Sequence, residues 1–326
     1  MLRKQLTILI ILLALCITIS AQSLNANDGS NRAPRLMIVQ ALWGMISLPT
    51  REAEWTIEEK LARIKEAGFD AFDTGVPKQH EEEERWLALS AKYGLGIGLQ
   101  TSINKLEDLE NPLIIAKRMK SPYLDVHVGN YYVPEKDATE LLQAMTERCK
   151  RAQIAMMVQT HRGRVTQDLF RTVAYTRAIP DLRFCLDFSH YFVAGEIGGK
   201  LSPQADELFD ILMKRAAMLD GRVSNGEQVQ VDMGPAADNN YARYFAELWK
   251  RTMVHWLKGA RNGDIFIFRV ELGPPNYSIR DLNGKEISDR WEQAKLMRSL
   301  VERIWNEAVQ ETGIGMPHGA KAVGAG

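Results

Sequence analysis

Short, nearly continuous apolar runs alternate along the chain with longer stretches whose apolar residues recur at three- and four-residue spacing. The first pattern marks strands buried on both faces, and the second marks helices with one face on a core. The runs predict strands over Leu36–Leu42, Asp70–Gly75, Leu95–Thr101, Tyr123–Gly129, Ile154–Thr160, Arg183–Phe188, Ala217–Val223 and Asp264–Leu272. The intervening stretches predict helices, the first opened by the capping box Thr56-Ile-Glu-Glu59 and ending near Gly68. Others are expected over 81–93, 107–119, 137–151, 167–178, 203–215, 241–258 and 288–311. Only 224–240, with Gly226, Gly234 and Pro235, interrupts the alternation with a long irregular segment.

Eight strand–helix units in roughly 280 residues match the span of a parallel eight-stranded barrel. The expected fold is therefore α/β, a single-domain (β/α)8 barrel over residues 36–312. A doubly wound open sheet is the competitor, but it normally carries a glycine-rich phosphate loop after its first strand, and Trp43-Gly44-Met45 is not one.

The ends of the chain read differently. Residues 1–21 have the layout of a secretory signal: Arg3 and Lys4, an apolar run from Leu6 to Ile19, then Ser20 and Ala21. The run is short for a membrane span. Export to the periplasm or medium is expected, with no stable membrane span in the mature form. An uncleaved anchor is the other reading, because Ile19 is bulky for its place before the cleavage site. Lipidation at Cys16 is disfavoured by the size of Leu15. Residues 22–35 are polar and read as a flexible leader, and residues 313–326 read as a disordered tail.

Lys+Arg and Asp+Glu both number 41, so no excess of positive charge is available to hold nucleic acid by its phosphates. Removal of Arg3 and Lys4 would leave the mature chain slightly acidic. Cys149 and Cys185 fall in a predicted helix and a predicted buried strand, which makes them small core residues rather than a disulfide pair.

Barrels of this kind place their chemistry at the C-terminal ends of the strands. Those ends carry Asp125-Val-His127, Gln159-Thr-His161-Arg162, Asp187-Phe-Ser-His190, Asp220-Gly-Arg222 and Glu271. Side chains from neighbouring strand ends converge, so Gln159, Asp187, Asp220 and Glu271 could surround one divalent cation. An oxygen-rich set suits Mg or Mn, and a nearby histidine would admit Zn or Co. The other reading of these acids is ion pairing with Arg162, Arg222 or Arg269.

Three stretches carry a family resemblance. Gln159-Thr-His-Arg-Gly resembles a Glu-Thr-His-Arg-Gly segment, Asp187-Phe-Ser-His190 an Asp-x-x-His segment, and Glu271-Leu-Gly-Pro-Pro-Asn-Tyr277 a Glu-x-Gly-Pro-Pro-x-Tyr segment of proteins related to xylose isomerase. These are the sugar phosphate isomerase/epimerase-like barrels, and the resemblance runs from Leu36 to about Glu311. It implies that Asp187 and Glu271 are metal ligands. It also implies that His190, His161 and Arg162 contact substrate oxygens or hold the ligands, and that His127 lines the pocket. Arg222 and Gln228 fall in a stretch resembling one after the family's seventh strand. Glu271 and His190 are the catalytic candidates, and Trp43 is the best candidate to stack on a sugar. Trp86 and Trp256, on predicted helices, read as packing residues.

Two departures bear on mechanism. The family's strand-five ligand is normally Glu, where this chain has Gln159, and its strand-seven ligand is normally His, where this chain has Asp220. Gln159 cannot take a proton, so one-face isomerisation by Glu271 is easier than two-face epimerisation. The leading expectation is a metal-dependent isomerase or epimerase acting on a small-molecule sugar or sugar derivative. A second reading is a non-catalytic sugar-binding barrel. A third, disfavoured by charge and export, is a metal-dependent hydrolase or an endonuclease of the abasic-site type.

Overall fold

The computed structural model describes residues 24–314. The eight apolar runs are parallel strands: β1 (Arg35–Ala41), β2 (Ala71–Gly75), β3 (Gly96–Ile103), β4 (Leu124–Val128), β5 (Met156–Gln159), β6 (Phe184–Leu186), β7 (Ala216–Gly221) and β8 (Asp264–Val270). They pair in chain order, and β8 pairs with both β7 and β1, so the sheet is closed. Closure removes every sheet edge, which is why strands this apolar are stable inside a ring of helices.

The ring is made by α1 (Ile57–Glu66), α2 (His80–Tyr93), α3 (Glu110–Arg118), α4 (Glu135–Ala152), α5 (Leu169–Ala178), α7 (Pro203–Met213), α8 (Asn240–Leu257) and α9 (Arg290–Thr312), while α6 (Phe188–Ala194) is a short extra helix after β6. Their starts are written locally. Thr56 and Glu59 form the expected capping box, Ser202 caps α7 with Pro203 at its first position, and Asn239 and Asp289 cap α8 and α9. Trp86 packs on Phe72, and Trp256 on Phe266 and Trp305, so both are packing residues. Cys149 and Cys185 are buried free thiols.

Three expectations shift. The sixth strand ends at Leu186 rather than Phe188, because Asp187 caps α6 by accepting a hydrogen bond from the Ser189 N–H. A 3-10 turn at Leu106–Leu109 precedes α3. The leader is not free throughout: Ala26–Asn27 pairs antiparallel with Ile265 and Asp264, and Asn27 donates to the Asp264 carboxylate at 2.7 Å. That short pairing lies over the N-terminal end of β8, at the foot of the barrel. The signal-like segment and the tail beyond residue 314 lie outside the described residues. Among the described residues no helix is long and apolar enough to cross a membrane.

The register stacks the interior in tiers. Asp73 aligns with Gly98, Gln100 with Asp125, Gln159 with Cys185, and Asp220 with Arg269, so these residues share the inner face. Two residues further along each strand, the same face presents His127, His161, Asp187, Arg222 and Glu271. A strand rises about 6.6 Å in two residues, which sets the separation of the tiers.

Candidate active site

The lower tier is built around Arg269, which is fully buried. Its guanidinium reaches Asp220 through Nε to Oδ1 at 2.7 Å and Nη2 to Oδ2 at 2.9 Å, Asp125 at 2.8 Å and Asp73 at 3.2 Å. Tyr123 donates its hydroxyl to Asp73 at 2.9 Å. The tyrosine ring fits because β3 carries Gly98 opposite it, where a Cβ would stand 2.0 Å from the hydroxyl oxygen. Gln100 donates to Asp125 and to Gln159 Oε1 at 3.1 and 3.3 Å, and Gln159 in turn donates its Nε2 to Asp220 at 2.5 Å.

The upper tier is organised by Arg222, buried between two acids. It pairs with Asp187 and with Glu271, the latter at 2.8 Å, and donates to the Glu271 carbonyl as well. Asp187 also takes the Ser189 N–H and hydroxyl on its other oxygen and lies 3.5 Å from His190 Nε2. The imidazoles of His127, His161 and His190 form a row, with ring centres 4.8 and 4.0 Å apart. His161 Nε2 meets the Tyr277 hydroxyl at 3.2 Å. Trp43 closes the wall edge-on to Tyr277, and the Arg222 and Arg162 guanidiniums lie over the Tyr277 ring at 4.8 and 5.1 Å. Every residue expected at the site from the sequence is thus brought to one end of the barrel.

Asp187, Asp220 and Glu271 offer oxygens within 4.8 Å of one another. Gln159 behaves differently from a fourth ligand as it stands, since its amide nitrogen faces the acids and its oxygen accepts from Gln100. Gln228 is exposed and hydrogen-bonded to Asn225; Gln230, two residues on, instead clasps the Gly273 N–H and carbonyl at 2.6 and 3.1 Å.

Five acids, Asp73, Asp125, Asp187, Asp220 and Glu271, share this interior with two guanidinium groups. Burial and the neighbouring Asp220 charge push Glu271 up to about 8, and burial likewise raises Asp187 to about 6 and Asp125 to about 7. Asp220 is the exception: burial raises it, but the two-point grip of Arg269 prevails and holds it below the usual carboxylate range. The histidines are held neutral. Burial and the His161 ring lower His127 to about 3, and burial with the nearby Arg222, Arg164 and Arg162 lowers His161 to about 4. His190 lies well below its ordinary value for the same reasons.

The donor chemistry fits a divalent cation. The acids outnumber the arginines five to two, and the oxygens of Asp187, Asp220 and Glu271 converge. Asp187, Asp220 and Glu271 are the residues that would hold it.

No family model matches the chain, and no curated protein matches it. Among solved structures it is similar to a xylose isomerase-like TIM barrel protein from Mycobacterium smegmatis in complex with magnesium, at 9% identity and a TM-score of 0.52 over 83% of this chain and 98% of that one. It is also similar to the 3-keto-D-glucoside 4-epimerase of E. coli, at 13% identity and a TM-score of 0.53 over 81% of this chain and 99% of that one. The chain shares with them the (β/α)8 TIM-barrel fold.

Within the barrel, the pairing of Asp220 with Arg269 is the alternative that the sequence left open, and what the sequence did not foresee is that Asp73, Asp125 and Gln100 join the two in one lower tier. Asp73, Asp125, Gln100 and Arg269 were not singled out as a unit, although an arginine inside Asp264-Ile-Phe-Ile-Phe-Arg-Val270 is a signal. A buried strand admits a guanidinium only where acids on neighbouring strands receive it. Tyr277 was visible within its motif, but only the fold shows it lying against Trp43, His161 and both arginines.

Proposed function

We propose that this protein is a divalent-metal-dependent, sugar isomerase/epimerase-like enzyme that moves a proton beside a carbonyl of a sugar or sugar derivative. The observation that carries this reading is the convergence of Asp187, Asp220 and Glu271 beside a row of three neutral histidines at the C-terminal mouth of the barrel. A bound divalent cation would supply Lewis acidity to polarise the carbonyl.

Glu271 is the proton carrier. Of the three acids it alone keeps some exposure, 6% against 0% for Asp187 and Asp220, so its carboxylate is the one a substrate can reach. It takes the proton from the carbon beside the carbonyl on one carboxylate oxygen and returns it to the former carbonyl carbon, while the hydroxyl proton passes to the former carbonyl oxygen. Gln159 cannot hold a proton, so transfer is confined to one face, which suits aldose–ketose isomerisation. His127 Nε2 and His190 Nδ1 are buried without a hydrogen-bond partner among the described residues, and they serve as contacts for substrate hydroxyls. Trp43 and Tyr277 give the pocket an apolar wall for a sugar ring, and Arg222 orients Asp187 and Glu271.

The test is enzyme-dependent interconversion of aldose and ketose pools in D2O with Mg²⁺ or Mn²⁺, read by mass spectrometry. Product gaining deuterium with the native chain, and not with Glu271→Gln, is the expected result. No conversion with either cation sinks the isomerase reading.

A second reading has its own support. Gln159 points its amide nitrogen at the acids and Arg222 already spans Asp187 and Glu271, which favours a sugar-binding barrel that has lost turnover. Conversion that appears only in Gln159→Glu would select it.

A further inference from the structure

Arg162 has no counter-charge among the described residues. Arg222 pairs with Asp187 and Glu271, and Arg269 with Asp220, Asp125 and Asp73. Arg162 is half-buried over the Tyr277 ring, and among the described residues it forms no ion pair and its side chain makes no hydrogen bond. Its neighbour Arg164 uses one nitrogen on the Gly129 carbonyl and has no carboxylate partner among the described residues either.

The turn that carries Arg162 is held rigidly. Arg164 N–H returns to the His161 carbonyl at 3.2 Å, and Gly163 sits between them at φ +79, the left-handed conformation that the third position of a type II turn requires. Thr166 takes the His161 N–H and donates to the Gln159 carbonyl, while Gln167 accepts from the Gly163 N–H. Arg162 therefore occupies the corner of a stapled turn directly after His161, beside the row of imidazoles. The mouth thus sets Asp187, Glu271 and their paired Arg222 beside the neutral histidines, with the Arg162 guanidinium next to them over the Tyr277 ring.

A half-buried guanidinium is best used by a planar anion that accepts two parallel N–H bonds. We propose that the substrate carries a carboxylate seated on Arg162, making it a sugar acid such as a uronate rather than a neutral sugar. The inference rests on the sugar-processing reading above and names its substrate class. Its polyhydroxy end lies against the histidines and Glu271, and its carboxylate lies on Arg162. A phosphate, with up to two charges and three acceptor oxygens, would call on Arg164 as well as Arg162, and Arg164 already spends one nitrogen on the Gly129 carbonyl.

The experiment is calorimetric titration of the full chain in Mn²⁺ and low salt with glucuronate, galacturonate and mannuronate, each beside its parent hexose, and with glucose 6-phosphate. At least one uronate is expected to bind about tenfold or more tightly than its parent. The uronate-to-hexose ratio falls toward one in Arg162→Gln and is intermediate in Arg162→Lys, which keeps the charge and loses the fork. Equal binding of uronates and hexoses, a ratio unchanged in Arg162→Gln, tighter binding of glucose 6-phosphate, or binding of no sugar by a chain that still takes up Mn²⁺ would each overturn it. An Arg162-dependent uronate preference without conversion in D2O would leave this inference standing and remove the isomerase reading alone.

Discussion

Arg269 and Asp220 face each other across neighbouring strands and meet at two points, Nε to Oδ1 and Nη2 to Oδ2, with neither residue exposed to solvent. This pairing explains why Asp220, alone among the five acids of the site, is held below the usual carboxylate range. It also ties the lower tier to the upper one, because Glu271 follows Arg269 by two residues, directly after the last residue of β8. The position of the proton-carrying acid is set by a strand whose inward side is locked by ion pairs.

Replacing Arg269 by Met keeps the volume and strands Asp73, Asp125 and Asp220 without their shared cation. Breaking a buried network from one side costs about 3–5 kcal/mol. Urea unfolding should show a loss of that order. The exposed pair of Arg303 with Glu307 is the control: at 63% and 40% side-chain exposure, Arg303→Gln should change stability by less than about 1 kcal/mol. Similar losses in the two variants would mean that the lower tier is not an integral network.

Gln159→Glu tests the place of metal directly. The new carboxylate would stand where the amide nitrogen now donates to Asp220 at 2.5 Å and approaches Glu271 at 3.4 Å. Without a cation this is like-charge crowding in a buried site, so the variant should melt below the native chain. A divalent ion that binds only the folded state stabilises by an amount set by its concentration over Kd. The rise in Tm on adding Mn²⁺ should therefore be larger in Gln159→Glu than in the native chain, and Asp187→Ala/Glu271→Ala should show none. An equal rise in all three would remove Asp187 and Glu271 as ligands.

How far the sequence reaches is visible in these same residues. The barrel was legible because each buried strand is a bounded apolar run and five of the eight ring helices open on a capping side chain, Thr56, Asp168, Ser202, Asn239 and Asp289. The upper tier was legible because its polar residues stand where those runs stop. The lower tier was not, because Arg269 and Asp73 lie within runs rather than at their ends, and only closure of the sheet brings β2, β4, β7 and β8 around one guanidinium. The boundary of β6 was missed for a different reason. Phe188 resumes the apolar run directly after Asp187, so the pattern carries the strand two residues beyond the point where Asp187 turns the chain into the short helix.

His127 gives the pH dependence a definite sign. Its value in the folded chain is about 3 against an ordinary 6.5, with burial the main cause, and the groups acting on it are His161, Arg164, Arg269 and Asp220. Between those values the unfolded chain binds the extra proton, so the contribution of this group to stability is full above pH 6.5 and is lost as pH falls toward 3. Each pH unit is worth about 1.4 kcal/mol, or roughly 2 kcal/mol between pH 6.5 and 5. Because the buried carboxylates shift the other way, the quantity to measure is the difference between the native chain and His127→Gln. The native chain should lose more stability than the variant on going from pH 7 to pH 5; parallel curves would show that His127 is not held neutral.

Gly98 should prove irreplaceable for a reason unrelated to backbone freedom. A Cβ there would stand 2.0 Å from the Tyr123 hydroxyl oxygen and 2.3 Å from the carbon that bears it, so Tyr123 must leave its place. Its departure breaks the hydrogen bond to Asp73 and disturbs one of the acids that hold Arg269. Overpacking of this kind typically costs about 1–3 kcal/mol. Two residues that compete for one volume should show strong coupling in a double-mutant cycle. Gly98→Ala should be costly in the native chain and much cheaper once Tyr123→Leu has emptied the space. Additive losses would place the cost of Gly98→Ala elsewhere in β3, and would separate the glycine from the ion-paired tier beneath the acids that carry the chemistry.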